Sequence, residues 1–224
     1  RSGPAAVRLR SPARFHGSFP ATLGWDQQLL PDEEKHKALN QARLALSGNQ
    51  IAEAIEISKK AIRQNPKLAR GHKILAECHT RNDDLFNAEI ALEKAVKARP
   101  DWAFLYFQLA RNLIAQESPF NVVPTLEKAL ELEPPFLETR KLLVSFLKSE
   151  ETDNPKMLKH ATILYRTLPD DRESALDLSV AHVNLDQYEL ALPFSNASRT
   201  TRSSTIGQRS PLSRRSPINT TKPA

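Results

Sequence analysis

Residues 61–68 read AIRQNPKL, residues 95–102 read AVKARPDW and residues 129–136 read ALELEPPF. Each segment begins with alanine and carries a proline five residues later, and successive segments are 34 residues apart. A fourth proline, Pro169, follows Pro134 after 35 residues. A period of this length is typical of one helix–turn–helix unit in a tandem array. The spacing therefore predicts an all-α protein, an α-solenoid of stacked helix–turn–helix repeats.

Other positions of the repeat hold small or apolar side chains in columns. When the four prolines are placed at position 32, the repeats begin at Lys35, Ala69, Ala103 and Leu137. Position 8 then holds Ala42, Ala76 and Ala110. Position 20 holds Ala54, Ala88 and Val122, and position 27 holds Ala61, Ala95 and Ala129. Position 7 holds Leu75, Leu109 and Leu143. Small side chains let two helices pack closely, and proline ends the second helix because it lacks an N–H and disfavours helical geometry in the preceding residue.

This pattern resembles the tetratricopeptide-repeat (TPR) family, which carries Leu at position 7, small residues at 8, 20 and 27, and Pro at 32. The resemblance covers residues 35–196. It implies repeats near 35–68, 69–102, 103–136 and 137–171, with a partial repeat over 172–196, inside a TPR-like helical domain over 32–196. The family also carries a large residue at position 4. The chain departs from the family there, because Tyr106 is the only aromatic residue at that position in the four repeats.

Local signals add detail to the helices. Gly48 and Asn49 predict the turn between the two helices of the first repeat. Asn154 followed by proline predicts an N-cap. Pro124 and Pro193 both fall at position 22, inside second helices, where we expect each to bend its helix.

The segments outside the repeats differ from them in charge. The chain has a net charge of +6, but residues 197–224 hold six basic and no acidic residues, and residues 1–31 hold four basic and one acidic residue. Residues 32–196 are therefore mildly acidic. Because both flanking segments are rich in Pro, Ser, Thr and Arg, we predict a disordered basic leader over 1–31 and a disordered basic Ser/Arg/Pro tail over 197–224.

These flanking segments leave alternatives open. Residues 1–25 contain arginine, as mitochondrial transit peptides do, but prolines interrupt any amphipathic helix, and an unstructured leader or cloning remnant is favoured. The tail could be phosphorylated at Ser210 or Ser216, could contact nucleic acid through charge alone, or could result from truncation or a frameshift. The single cysteine, Cys78, excludes an internal disulfide, and the repeats lack a membrane-spanning stretch. We predict a cytoplasmic location.

The resemblance also implies a binding surface on the first helices of the repeats, at positions 2, 5, 9, 12 and 13. Over four repeats these positions hold seven basic and two acidic residues. We predict a partner-binding groove formed by Arg43, Arg70, Lys73, Glu77, Phe104, Phe107, Arg111 and Lys141. The basic surplus favours an acidic partner segment or a C-terminal carboxylate, with the two phenylalanines as an apolar anchor. The alternative is that these cations are ordinary solvated side chains on helix surfaces.

No phosphate loop, zinc-protease or nucleophile-elbow motif is present in the sequence. His72, Cys78 and His79 match no zinc spacing and lack a fourth ligand, so we expect them to pack between helices.

We therefore predict a scaffold for protein–protein interaction that is not an enzyme and has neither cofactor nor metal. Its expected partner is a protein or peptide, not a small molecule or a membrane. We expect nucleic acid to bind only through non-specific contact with the tail. The alternative function is the recognition arm of a larger enzyme of the sulfotransferase, glycosyltransferase or hydroxylase type, with its catalytic domain absent from this chain.

Overall fold

The computed structural model describes residues 37–150 and 153–200, with side chains as far as Ser195. The predicted leader and residues 201–224 of the predicted tail lie outside the described residues. The described ranges contain the helices α1 (Lys37–Ser47), α2 (Ile51–Gln64), α3 (Ala69–Arg81), α4 (Leu85–Ala98), α5 (Ala103–Ala115), α6 (Val122–Leu132), α7 (Leu137–Glu150), α8 (Asn154–Thr167), α9 (Arg172–Val183) and α10 (Tyr188–Thr200). All regular structure in these ranges is helical, which confirms the predicted fold class.

The helices belong to two compact units that divide between His160 and Ala161. In the first unit, α1 pairs with α2, α3 with α4 and α5 with α6, and each second helix also packs on the first helix of the next repeat. In the second unit, α9 pairs with α10. Helical hairpins stacked in this way are those of the predicted α-solenoid.

The predicted columns of small residues form the contacts between helices. Their side chains are at most 3% exposed at Ala42, Ala76, Ala110, Ala54, Ala88, Val122, Ala61, Ala95 and Ala129. A small side chain at these places lets two helix backbones approach, so larger neighbours such as Leu46 and Leu105 can fill the space on either side. The small-residue columns are thus confirmed as the packing seams of the first unit.

The turns that follow α1, α3, α5 and α9 each contain a residue with left-handed backbone. The φ angles are 60° at Asn49, 58° at Asp83, 56° at Glu117 and 59° at Asp186. The next residue donates its N–H to a carbonyl five residues back, as Asp84 does to His79 over 2.9 Å. This Schellman motif satisfies carbonyls that the helix leaves unpaired. The predicted turn at Gly48 and Asn49 is therefore confirmed, with Asn49 as its left-handed residue.

Two local predictions fail for simple geometric reasons. Pro124 is the third residue of α6, in the first turn, where a backbone N–H has no intrahelical partner to lose, so no bend is required. The cap of α8 is Asp153, whose Oδ1 accepts the N–H of Lys156 at 3.2 Å, and not the predicted Asn154. Pro193 does lie inside α10, which continues to Thr200, past the predicted end of the repeats.

The turn between repeats is held by a hydrogen bond that recurs at position 4. The Nε2 atom of His72 lies 2.9 Å from the carbonyl oxygen of Pro66, which can only accept, so Nε2 carries the proton. Two other donors repeat this bond to the periodic proline: Tyr106 Oη to Pro100 O at 3.0 Å, and Arg140 Nη2 to Pro134 O at 2.6 Å. Three chemically different side chains therefore fix the same turn, because each places a donor at the same point.

Candidate functional site

The predicted groove residues all lie on first helices of the first compact unit. Arg43 is on α1; Arg70, Lys73 and Glu77 are on α3; Phe104, Phe107 and Arg111 are on α5; and Lys141 is on α7. Their exposure differs widely. Arg43, Glu77 and Arg111 are exposed, whereas Arg70, Phe104 and Lys141 are half-buried.

Four of these residues from α3 and α5 come together. The Nζ atom of Lys73 lies 5.1 Å from the ring centroid of Phe104, and Cζ of Arg111 lies 5.7 Å from that of Phe107. The two rings are 5.9 Å apart between centroids. We call Lys73, Phe104, Phe107 and Arg111 the aromatic–cation cluster. A cation over an aromatic face contributes about 0.5–1 kcal/mol at an exposed site and more when it is desolvated.

Two aromatic residues that were not predicted extend this cluster on either side. Trp102 lies 6.5 Å from Phe104, and Phe136 lies 5.2 Å from Phe107, between ring centroids. Both follow a periodic proline by two residues and are at most 2% exposed. The sequence signal for these two buried residues was a large apolar side chain two residues after each periodic proline. Leu68 occupies the same place in the first repeat and is 1% exposed.

The predicted groove needs correction at two residues. Lys73 is 8% exposed and Phe107 is 7% exposed, so neither presents a free surface to a partner. The ammonium group of Lys73 lies over the ring of Phe104 of the next repeat, which covers one side of it. The accessible part of the aromatic–cation cluster is therefore exposed Arg111 together with part of half-buried Phe104.

Glu77 lies between two arginines. Its Oε1 is 3.7 Å from Nη2 of Arg81, and desolvation lowers the pKa of the Arg111 guanidinium while the charge of Glu77 opposes that shift. Arg81 also donates from Nη1 to the carbonyl oxygen of Leu46 over 2.6 Å, which ties α3 to the end of α1. Arg81 is thus committed to holding α3 against α1, whereas Arg111 lies over the ring of Phe107.

The residues that resembled a chemical site serve packing. Burial raises the pKa of the Cys78 thiol to about 11, and the charge of Glu77 adds to the effect, so the thiol is protonated at neutral pH. Nδ1 of His79 lies 3.1 Å from Oδ2 of Asp84, the residue that caps α4. No group of three or more potential metal ligands occurs in residues 37–150 and 153–200. Over the same residues, every helix is too short or too polar to span a bilayer.

No protein-family model and no curated protein sequence matches the chain. Solved structures do match it. YrrB, described as a TPR protein with an unusual peptide-binding site, aligns with a TM-score of 0.66 and 20% identity over 79% of this chain and 90% of its own. A structure of MamA aligns with a TM-score of 0.67 and 13% identity over 79% and 96%. MamA from Desulfovibrio magneticus RS-1 aligns with a TM-score of 0.62 and 17% identity over 74% and 94%. The chain therefore has the fold of the tetratricopeptide-repeat proteins.

Proposed function

We propose that the first compact unit is a scaffold that binds a segment of a partner protein across its first helices, centred on the aromatic–cation cluster. The observation that supports this proposal is that exposed Arg111 lies over the ring of Phe107, which in turn contacts half-buried Phe104, so the three side chains share one face of α5. Aromatic residues, phenylalanine among them, and arginine are enriched in protein interfaces relative to the rest of the surface. YrrB, which shares the fold, is described as having a peptide-binding site.

We further propose that the bound segment is acidic. Besides Arg111, the first helices of this unit carry exposed Arg43 and half-buried Arg70 and Lys141, against the carboxylates of Glu77 and Glu138. A partner carboxylate that reached Arg111 would compete with Glu77, whose attraction for that guanidinium is weakened by solvent and by its contact with Arg81. Basic surplus on one surface also speeds the encounter with an acidic chain.

On this proposal the chain acts by binding and not by catalysis, and the first-helix surface needs no cofactor. Nothing in the described residues favours the alternative of an enzyme's recognition arm. The cytoplasmic location, and the division into leader, repeat domain and tail at residues 31 and 196, stay predictions.

A peptide titration tests the proposal. The probes are fluorescent peptides of alternating glutamate and leucine, and the same peptides with glutamine in place of glutamate, measured by anisotropy against the full chain. We expect the acidic peptide to bind and Arg111→Glu to weaken it at least tenfold. The matched control is Lys97→Glu, which makes the same charge change at an exposed residue of a second helix, α4. Equal binding of both peptides, or equal weakening by both variants, would overturn the proposal.

A further inference from the structure

A cavity of about 330 Å³ lies between α2, α3 and α4, on a different face of α3 from the aromatic–cation cluster. On α3 its walls are formed by His72, Leu75 and His79, and Lys73 and Glu77 are not among the residues that line it. Residues 72, 75 and 79 share one face of a helix with 3.6 residues per turn, which explains the separation. The cavity is therefore independent of the proposed partner surface.

Positive charge is concentrated around this cavity. Lys59 and Arg63, one turn apart on α2, line it from one side, and Lys94 lines it from α4. None of the residues that line it is acidic. Lys59 has a carboxylate nearby, Glu56, but that contact is 3.7 Å long and both side chains are largely exposed, so solvent weakens it. The carboxylate of Asp84 contacts two lining residues, His79 at 3.1 Å and Asn87 at 2.8 Å, so it balances part of this charge and the three cations leave a smaller local excess that an anion would relieve.

The rest of the wall is apolar, with one unsatisfied polar atom. Ile62, Leu75, Ile90 and Ala91 supply the apolar lining. His72 is 6% exposed and uses Nε2 to bond Pro66, while its Nδ1 is buried and has no hydrogen-bond partner in the described chain. Because Nε2 donates to Pro66, Nδ1 can only accept a hydrogen bond, so it does not contribute to anion binding and the three cations carry the charge recognition.

We propose that this cavity binds a phosphate monoester carried on an aromatic or aliphatic group. Arg63 and Lys94 hold the phosphate, and Ile62 and Ile90 contact the apolar part. A phosphate monoester carries a charge of about −1.5 to −2 near neutral pH and three acceptor oxygens, which suits three cations that line one cavity better than a single carboxylate does. Arginine and lysine are the residues that bind phosphate most often, arginine in a bidentate geometry.

The test uses the full chain labelled with ¹⁵N and phenyl phosphate as the probe, at constant ionic strength. We expect amide shift changes confined to residues 59–63, 72–79 and 87–94. The double variant Arg63→Gln/Lys94→Gln should lower the affinity at least tenfold. The control Lys60→Gln/Lys97→Gln removes the same charge from neighbouring exposed residues of the same helices and should change the affinity less than twofold. Circular dichroism confirms that both variants are folded.

Phenol, which lacks the phosphate, and benzoate, which replaces it with a carboxylate, are the control ligands. Binding of phenol or benzoate as tight as that of phenyl phosphate, scattered shift changes, or equal weakening by the two double variants would each overturn the proposal. Adenosine monophosphate and N-acetyl phosphotyrosine amide then distinguish a free nucleotide from a phosphorylated side chain, and preferential binding of either supports the proposal. The variant Arg111→Glu should leave this binding intact, so failure of the proposed function and failure of this inference are separable.

Discussion

Arg140 and His160 form a buried hydrogen bond in which Nη1 of the arginine lies 2.9 Å from Nδ1 of the histidine. The arginine is 7% exposed and the histidine 6%. Because a guanidinium can only donate, Nδ1 must accept, so His160 is neutral in the folded chain. Burial and then the charge of Arg140 lower the pKa of His160 from 6.5 to about 4. The pair therefore couples the stability of the first compact unit to pH.

This coupling predicts a loss of stability in mild acid. Between pH 6.5 and about 4 the unfolded chain protonates His160 and the folded chain does not, so the free energy of unfolding falls as pH falls through that window. The shift corresponds to a loss of about 3 kcal/mol. Urea unfolding at pH 7, 5.5 and 4 measures it, and His160→Asn, which keeps an acceptor but does not titrate, should show a shallower pH dependence. An unchanged slope in that variant would contradict the assignment.

Replacing Glu117 with glycine should stabilise the folded chain. Glu117 adopts φ 56°, which non-glycine residues rarely do, at the end of α5. Glu117→Gly is expected to raise the free energy of unfolding by about 1 kcal/mol, because glycine adopts left-handed backbone without a steric penalty. Glu117→Ala is the control and should give no such gain, since alanine retains Cβ. Urea unfolding compares the two, and equal effects would show that the backbone conformation is not the cause.

Much of the fold could be predicted from the sequence because one spacing determines many contacts. Ala54, Ala88 and Val122 are buried at the same position of three repeats since each repeat places its second helix in the same way. Asp83 and Glu117 were missed as left-handed residues because the usual signal at a helix end is glycine or asparagine. Pro124 was misjudged because α6 begins later in its repeat, after a short 3-10 turn at Pro119–Asn121.

The binding surface could be predicted only in part. Periodicity indicates which face of a helix a residue occupies, and Phe104, Phe107 and Arg111 do share a face of α5, where Phe107 contacts the other two. It does not indicate how far a neighbouring repeat covers that face, so the burial of Lys73 by Phe104 was not predicted. The cavity beside Arg63 was missed because its walls come from three helices.

The small-residue columns should not tolerate larger side chains. Ala88 is 0% exposed, so Ala88→Leu must push α4 away from its neighbours or distort their rotamers. We expect it to lower the free energy of unfolding by about 2–3 kcal/mol. Ala52→Leu, at an exposed residue of α2, is the matched control and should change stability by less than about 0.5 kcal/mol. Similar costs at both sites, measured by urea unfolding, would argue against the predicted packing seam.

Substitutions of the two phenylalanines of the aromatic–cation cluster should affect stability and peptide binding to different extents. Phe107 is 7% exposed, so Phe107→Ala is expected to lower the free energy of unfolding by about 3–4 kcal/mol. Phe104 is half-buried, so Phe104→Ala should cost less stability while weakening the acidic peptide. Thermal unfolding and anisotropy on both variants measure the difference. A larger stability loss in Phe104→Ala than in Phe107→Ala would contradict the assigned roles.

The central claim concerns where a partner segment lies on the first compact unit. It is tested most directly by mapping backbone amide shifts of the ¹⁵N-labelled chain during titration with the acidic glutamate–leucine peptide. We predict changes on α3 and α5, strongest near Glu77, Phe104 and Arg111, that disappear in Arg111→Glu and are absent with the glutamine peptide. Changes confined to the second helices α2, α4 and α6, or no changes at saturating peptide, would contradict it.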